Sequence, residues 1–382
     1  MSALCGTGMG IGVPAAGGFT CSVCKIKVKP NGKGVWCTKR RVSLSIRAAS
    51  SNRTVVEYET GKDERARFAG DDTLSKLVNL IISVKPIYSL LKLGAKNVMV
   101  RTAEQNGIAW KEMVEEMKAS DVFAEKENLE NAAVVYPDYY TKPFHAYENG
   151  NLSWEAAFDV EPATRALWKR TLPSAKSWQE AGDMVRGKWV EAIQAHHCKF
   201  SSGLLVSDIL ELGCSTANST RFLANYYNNA QVTGLDLSPY FLSVAQYLEK
   251  RDPACTESRR KSIRFVHGNA ESTNLPSKSF DIVTVAFLLH ECPRDASRNI
   301  LKEAYRLLRP GGTIAITDQS PKSKVIQELP PALFTLMKTT EPWLDEYYLL
   351  DLESELVNCG FTHIRSILTS PRHFTCTATA AM

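Results

Sequence analysis

Val206-Ser-Asp-Ile-Leu-Glu-Leu-Gly-Cys-Ser-Thr-Ala-Asn-Ser-Thr220 is the stretch on which the fold turns. An apolar run ends in Glu211 and Gly213, then passes through small polar residues into a helical segment. A parallel sheet delivers a nucleotide to a helix N-terminus in this way. Asp236 follows Glu211 by 25 positions and ends a second apolar strand, 231–237. An acid at that spacing suits the two hydroxyls of a ribose. Phosphate loops carry extra glycines so that the backbone can close on an anion. Here Gly213 stands alone, with Ser215 and Ala217 in the places of further glycines, which weakens a pyrophosphate reading.

Outward from this stretch, the patterning predicts strands at 205–212, 231–236, 262–267, 280–287, 313–318, 362–368 and 373–380. Helices are expected near 218–228, 239–251, 293–308 and 349–359. Strands alternating with helices give right-handed parallel crossovers, hence an α/β class with a doubly wound, seven-stranded, mostly parallel sheet. Ligands of such sheets bind beyond the carboxyl ends of the strands, where strand order reverses. Gly213, Asp236, Asn269 and Phe287 all fall at those ends, so one pocket can collect them.

Five segments carry a family resemblance. Glu211-Leu-Gly-Cys-Ser-Thr-Ala217 resembles motif I of the class I S-adenosylmethionine-dependent methyltransferases, an acid followed by x-Gly-x-Gly-x-Gly. Leu235-Asp236-Leu-Ser-Pro239 resembles their ribose-binding acid, and Gly268-Asn-Ala-Glu271 the adenine-binding turn. Phe280-Asp-Ile-Val-Thr-Val-Ala286 looks like the fourth strand, and Leu307-Leu-Arg-Pro-Gly-Gly312 the turn into the fifth. The five occur in the family's order over roughly residues 200 to 320, a far more specific signal than any one alone. The subgroup most similar is the type 11 group that includes the ubiquinone and menaquinone methyltransferases.

The resemblance implies a Rossmann-like methyltransferase fold ending in a reversed hairpin around Thr369-Ser-Pro-Arg372, S-adenosylmethionine as cofactor, and no metal. It implies that Glu211 orients the methionine amino group, that Gly213, Cys214 and Ser215 line that end, and that Asp236 and Leu237 take the ribose. Asn269 and the Ala270 amide would hold the adenine edge, with Phe287 closing the pocket. His290 and Glu291 sit where related enzymes place acceptor-facing residues, and a histidine can take a proton near neutral pH. The plainer alternative makes His290 a strand cap and Glu291 a solvent-facing acid.

The front of the chain reads as an address. Residues 1–56 contain no Asp or Glu, yet carry basic residues at 25, 27, 29, 33, 39, 40, 41, 47 and 53 amid Gly, Ser and Ala. This composition suggests a chloroplast transit peptide over 1–48, with Ile46-Arg-Ala-Ala49 resembling a processing site. A mitochondrial address is the rival, but the Gly-rich first twenty residues do not make an Arg-rich amphipathic helix. Without 1–48, the chain's 46 basic and 41 acidic residues become 38 and 41. The apparent basicity thus belongs to the leader and is no nucleic-acid footprint. Four of the ten cysteines (5, 21, 24 and 37) lie in the leader, and Cys21-Ser-Val-Cys24 has no second pair at zinc-site spacing.

A helical and lid region is expected over 49–200, before the cofactor-binding domain at 201–382. Residues 50–70 read as polar and loose. The segment from Leu74 to Leu93 is apolar but interrupted by Lys76, Lys85, Pro86 and Lys92, so it is no clean membrane span. It reads as two short helices broken at Pro86, packed on the body or laid on a membrane surface. Ala103 to Lys118 follows as an amphipathic helix, with Ile108, Trp110, Met113 and Met117 on one side.

Four tyrosines, Phe144 and His145 crowd into 134–147, broken by two prolines. Such a rigid aromatic segment could be a lid, with Tyr139, Tyr140 and His145 walling the acceptor, or a strap whose hydroxyls are all spent on backbone. Ser153 is the expected N-cap of the helix that follows, and a second helix runs from about 177 to 197. The insertion 321–348 supplies Trp343 and Tyr347 as a facing wall. Together these favour methyl transfer to a small, hydrophobic or aromatic plastid metabolite. A non-catalytic cofactor-binding regulator, or a membrane-surface accessory protein using Leu74 to Leu93, are the rivals.

Overall fold

The computed structural model describes residues 22–28, 35–41 and 58–382, except 67–68, 70–72, 74–75, 77–78, 81–83, 146 and 253–261. In the front unit, β1 (Ser22–Val28) and β2 (Val35–Arg41) pair antiparallel, with Ser22 opposite Arg41. The remainder of the expected leader, with Cys5 and Cys21, lies outside the described residues.

The main unit, 57–382, is built on one sheet. Its strands are β3 (Asp208–Leu212), β4 (Gln231–Asp236), β5 (Ile263–His267), β6 (Phe280–Ala286), β7 (Leu308–Gln319), β8 (Phe361–Leu368) and β9 (His373–Ala380). Their order is β5-β4-β3-β6-β7-β9-β8, with β9 antiparallel to both neighbours and the remaining pairs parallel. This is the seven-stranded, doubly wound sheet expected of a Rossmann-like methyltransferase fold. Ile209, Leu210, Leu212, Ile282 and Val283 are all fully buried, as strands covered by helices on both faces require. The winding reverses between β3 and β6, which places the switch point beside Gly213 and Phe287.

Local capping chemistry sets the covering helices. Ser153 accepts the Ala156 N–H, Ser177 the Glu180 N–H and Ser238 the Phe241 N–H, starting helices Trp154–Thr171, Trp178–Phe200 and Pro239–Arg251. In the last, Pro239 takes the first helical turn, where its missing N–H costs nothing. Helix Trp178–Phe200 lies on β7 and β9, and its Trp189 is 1% exposed in the core.

Three expectations change. The helical region and the core are one body, without a boundary at 200/201, because helices Trp154–Thr171 and Trp178–Phe200 pack directly on the sheet and on each other. The helix expected from Ala103 to Lys118 is two, Lys85–Gln105 and Trp110–Lys118, since Gly107 (φ +74°) ends the first. The apolar side chains still turn inward: Ile108, Trp110 and Met117 are buried. Residues 59–66, expected to be loose, are stitched to the insertion. Thr60 bridges Ser323, Gly61 N–H donates to the Lys322 carbonyl at 2.8 Å, and Lys324 pairs with Glu59 at 2.6 Å. Helical residues at 73, 76, 79 and 80 precede a bend at Val84, and helix Lys85–Gln105 starts with Pro86 in its first turn, so the expected break falls there. No helix among the described residues is long and apolar enough to cross a membrane.

Candidate active site at the carboxyl edge of the sheet

Glu211, next to last in β3, is 1% exposed and accepts the Thr220 hydroxyl. Burial pushes its carboxyl up to about 7, against the pull of Thr220 and Arg186. The loop that follows folds back on β4: the Gly213 and Cys214 amides both donate to the Leu235 carbonyl, at 2.8 and 3.0 Å. It holds three left-handed residues, Gly213 (φ +73°), Ser215 (+50°) and Ala217 (+63°), the three positions at which the family motif has glycine. Two of them carry a Cβ that this conformation disfavours by about 1 kcal/mol each. Ser215→Gly should therefore raise stability by roughly 0.5–1 kcal/mol, strain relief exceeding the entropy that glycine adds to the unfolded chain. Urea unfolding of the two proteins checks it, and a less stable glycine variant would refute the strain.

Asp236 is the hub of this corner. One carboxyl oxygen accepts the Ser215 amide at 2.7 Å and the other the Ser238 amide at 2.8 Å, so the loop and the following helix start are fixed together. Burial raises its carboxyl to about 6 despite those amides. Each oxygen keeps a lone pair for a further donor. Leu237 is buried, and its carbonyl receives His267 Nε2–H at 3.1 Å. Cys214 packs under Gly234, where an added Cβ would lie 2.9 Å from its Sγ, and burial holds its thiol protonated, so it is a packing group. Leu288 covers Gly213, whose added Cβ would meet both Leu288 methyls at 2.9 Å. In the third-strand turn, the Asn269 side chain accepts the Glu271 amide at 2.8 Å and so shapes the turn itself, with Ala270 beside it.

The aromatic segment is a strap across this edge. The Asn131 amide donates to His267 Nδ1 at 2.9 Å, the Tyr139 hydroxyl to Glu271 at 3.0 Å, and the His145 amide to the Thr340 carbonyl at 3.2 Å. The Asn151 carbonyl accepts the Ser238 hydroxyl at 2.7 Å. Tyr139 and Tyr347 spend their hydroxyls on Glu271 and the Gln319 carbonyl, and Trp343 packs edge-on to Tyr139 at 6.4 Å, as in the plainer reading. Tyr140 differs: its phenol is half-buried and raised by burial, then by the charges of Asp236 and Glu291, with Tyr136 stacked on it at 6.3 Å. Gly150 (φ +53°) closes the strap, and an added Cβ there would lie 2.7 Å from the Lys142 carbonyl. Gly150→Ala should cost roughly 1–3 kcal/mol. An unchanged melting temperature would mean that the strap is not clamped.

His290 and Glu291 meet groups the sequence did not indicate. His290 Nδ1 donates to Asp318 at 2.7 Å, and its Nε2 lies 4.0 Å from Glu341. Burial alone would lower the imidazole, but Asp318, then Glu341 and Glu291, raise it to about 10. His290 is therefore an imidazolium at neutral pH, a donor where a proton acceptor was expected. His145 Nε2 donates to Glu341 at 2.8 Å and is likewise raised by Glu341 and Glu291 against burial. Glu291 is half-buried, its side chain 23% exposed: burial raises it to about 7, and it lies 3.4 Å from Asn151 Nδ2 and 3.6 Å from His145. Glu341 Oε1 faces both histidines, while its Oε2 is buried with no hydrogen-bond partner.

Sequence reading missed Asp318, Glu341, Arg186 and Asn151. Asp318 carried a signal, an acid near the end of the fifth strand, by the same logic as Asp236. The other three carried none. Arg186, 8% exposed, feels the charges of Glu161 and Glu211 and leaves its Nε without a partner. A carboxylate beside a guanidinium with an orphaned N–H fits both ends of an amino acid. Asp236, with two free lone pairs, fits a ribose. The residues present thus suit S-adenosylmethionine.

The methyltransferase-domain family model matches residues 210–316, from β3 into β7. An uncharacterized methyltransferase of Synechocystis is 32% identical over 161 residues, covering 42% of this chain and 69% of that protein. The demethylmenaquinone methyltransferase of Listeria monocytogenes is 36% identical over 115 residues, 30% of this chain. The chain spans 45% of the length of that relative. A solved Haemonchus contortus phosphoethanolamine N-methyltransferase 2, in complex with S-adenosyl-L-methionine, is 15% identical with a TM-score of 0.42, covering 65% of this chain and 61% of that one. The chain belongs to the methyltransferase-domain family.

Proposed function

We propose that the protein moves a methyl group from S-adenosylmethionine to a small-molecule acceptor. The observation that carries this reading is the joint placement of Glu211, Arg186 and Asp236 around one left-handed loop at the switch point of the sheet. Glu211 would hold the methionine ammonium, Arg186 its carboxylate, Asp236 the ribose hydroxyls, and the Ala270 amide the adenine edge. The sulfonium supplies an already activated methyl, so the protein's task is alignment and exclusion of water. Leu288, Phe287 and the strap with Tyr140 would serve both.

Glu341 is the group we assign to the acceptor's proton. Its free Oε2 is a buried acceptor held in place by His145, while His290, fixed by Asp318, offers a positive charge beside the developing product. The aromatic surface of Tyr140 and Phe287 supports an aromatic or otherwise apolar acceptor, and the acid-free leader supports a plastid location.

Calorimetric titration of the full chain with S-adenosylmethionine and its demethylated product tests the reading. Micromolar binding of both is expected. A well-folded protein that binds neither would leave the membrane-surface reading, and full-rate transfer by Glu341→Gln would remove Glu341 as base.

A further inference from the structure

Hydrogen-bond accounting fixes the tautomer of His373, the first residue of β9. Ser370 Oγ accepts the His373 amide at 2.9 Å and the Arg372 amide at 3.2 Å, which fills both lone pairs of the hydroxyl. Its one hydrogen therefore goes to His373 Nδ1, 2.8 Å away. Burial pushes the imidazole down to about 3, so it is neutral and carries its proton on Nε2. That N–H meets no hydrogen-bond partner among the described residues. A second donor in the same state lies beside it. Trp168, on helix Trp154–Thr171, is buried, and its indole Nε1–H has no partner. The two rings stand 6.3 Å apart in a T-shaped arrangement. Thr171, one turn further along the helix, likewise leaves a buried hydroxyl unpaired.

Phe287 completes the group. Its ring meets His373 edge-on at 5.0 Å and Trp168 at 5.6 Å, so each of the three rings packs beside the other two. Its backbone is held in the left-handed region (φ +57°), with the amide donating to the Thr317 carbonyl at 2.8 Å. A bulky residue adopts that conformation only at a cost, so the surrounding fold fixes this half-buried ring at the end of β6, three residues before His290. The Arg186 guanidinium lies over the Trp168 ring at 4.7 Å. Arg186 is the group assigned to the methionine carboxylate, and His290 borders the acceptor. The three rings therefore link the two ends of the site, by contact on one side and by chain on the other.

A buried N–H without a partner is costly, and two of them side by side in a cluster of rings call for a ligand. We propose that Trp168 and His373 donate to one uncharged oxygen of the methyl acceptor, a carbonyl on a flat ring that packs against Phe287. The proposal rests on the methyl-transfer reading, which makes this edge the acceptor side. A carbonyl suits the pair because its two lone pairs can accept both N–H groups. Both donors are neutral, so among desolvated rings they hold a neutral oxygen without the cost of burying a charge. Arg186, in contact with Trp168, is already matched to the carboxylate of the cofactor.

The test measures dissociation constants of acetophenone and α-methylstyrene by ligand-observed NMR on the full chain saturated with S-adenosylhomocysteine. The two probes share a shape and differ only in an oxygen against a methylene group. Acetophenone should bind about tenfold tighter, the worth of two neutral hydrogen bonds. Trp168→Phe and His373→Phe each remove one N–H and keep a ring, so each should cut the preference to about threefold. His373→Gln, which retains a donor, should keep more of the preference than His373→Phe. A purely structural role for either ring would move both probes alike. Equal affinities, absent binding of both probes, a preference unchanged in both phenylalanine variants, or benzoate binding tighter than acetophenone overturns the proposal. If S-adenosylhomocysteine itself fails to bind, the methyl-transfer reading falls, and the same probes on the cofactor-free chain still decide the two donors.

Discussion

Replacing Asp236 with alanine should weaken S-adenosylmethionine binding by about a hundredfold or more. The carboxylate already accepts the Ser215 and Ser238 amides, and its remaining lone pairs are the acceptors offered to two ribose hydroxyls. Bonds to a charged acceptor are worth about 1.5–3 kcal/mol each, so losing two gives at least that factor. The substitution also strands two backbone donors and frees the loop through Ser215 to leave its left-handed conformation. Asp236→Asn keeps the shape but turns one acceptor into a donor facing an amide, so it should bind almost as poorly. Calorimetry on protein of known melting temperature separates binding from folding. Affinity within about threefold of wild type in either variant would take the ribose away from Asp236.

Asp318→Ala should cost about 3–5 kcal/mol of folding stability, because it leaves the buried His290 imidazolium without its partner. The pH dependence identifies the cause. With its folded value raised from 6.5 to about 10, His290 contributes stability that is fully present below about pH 6.5 and lost as pH rises through 10. The difference between wild type and Asp318→Asn in urea unfolding should therefore be largest below pH 6.5 and shrink toward pH 10. Glu211 and Asp236 are also raised, but their contributions are lost by about pH 7 and are common to both proteins. A difference that does not vary with pH would mean that His290 is neutral in the folded protein.

These two residues also mark how far the sequence could be read. Asp236 was legible because everything that defines it is local: an apolar strand, an acid at its end, then Ser238-Pro239 to start a helix. For the same reason β4, β9 and helix Pro239–Arg251 begin and end where patterning placed them. Ala217 shows the next level. Its identity was plain, but only the backbone shows that φ is +63° there. The helix expected from Ala103 to Lys118 failed locally, at a glycine whose left-handed conformation outweighed an unbroken apolar stripe.

His290 lies between these cases. Its place after the fourth strand was readable, yet its charge state depends on Asp318 and Glu341, 28 and 51 positions away. The sequence by itself determined the sheet, its winding, the cofactor edge and the family, because periodicity, capping and turn chemistry act over a few residues. The tertiary structure alone decided that Glu341 keeps an unpaired oxygen, that Asp318 sits on His290, and that His145 meets Glu341. Those facts arise from packing between distant segments, where burial and the sum of nearby charges, neither written in any local pattern, set what each side chain can do.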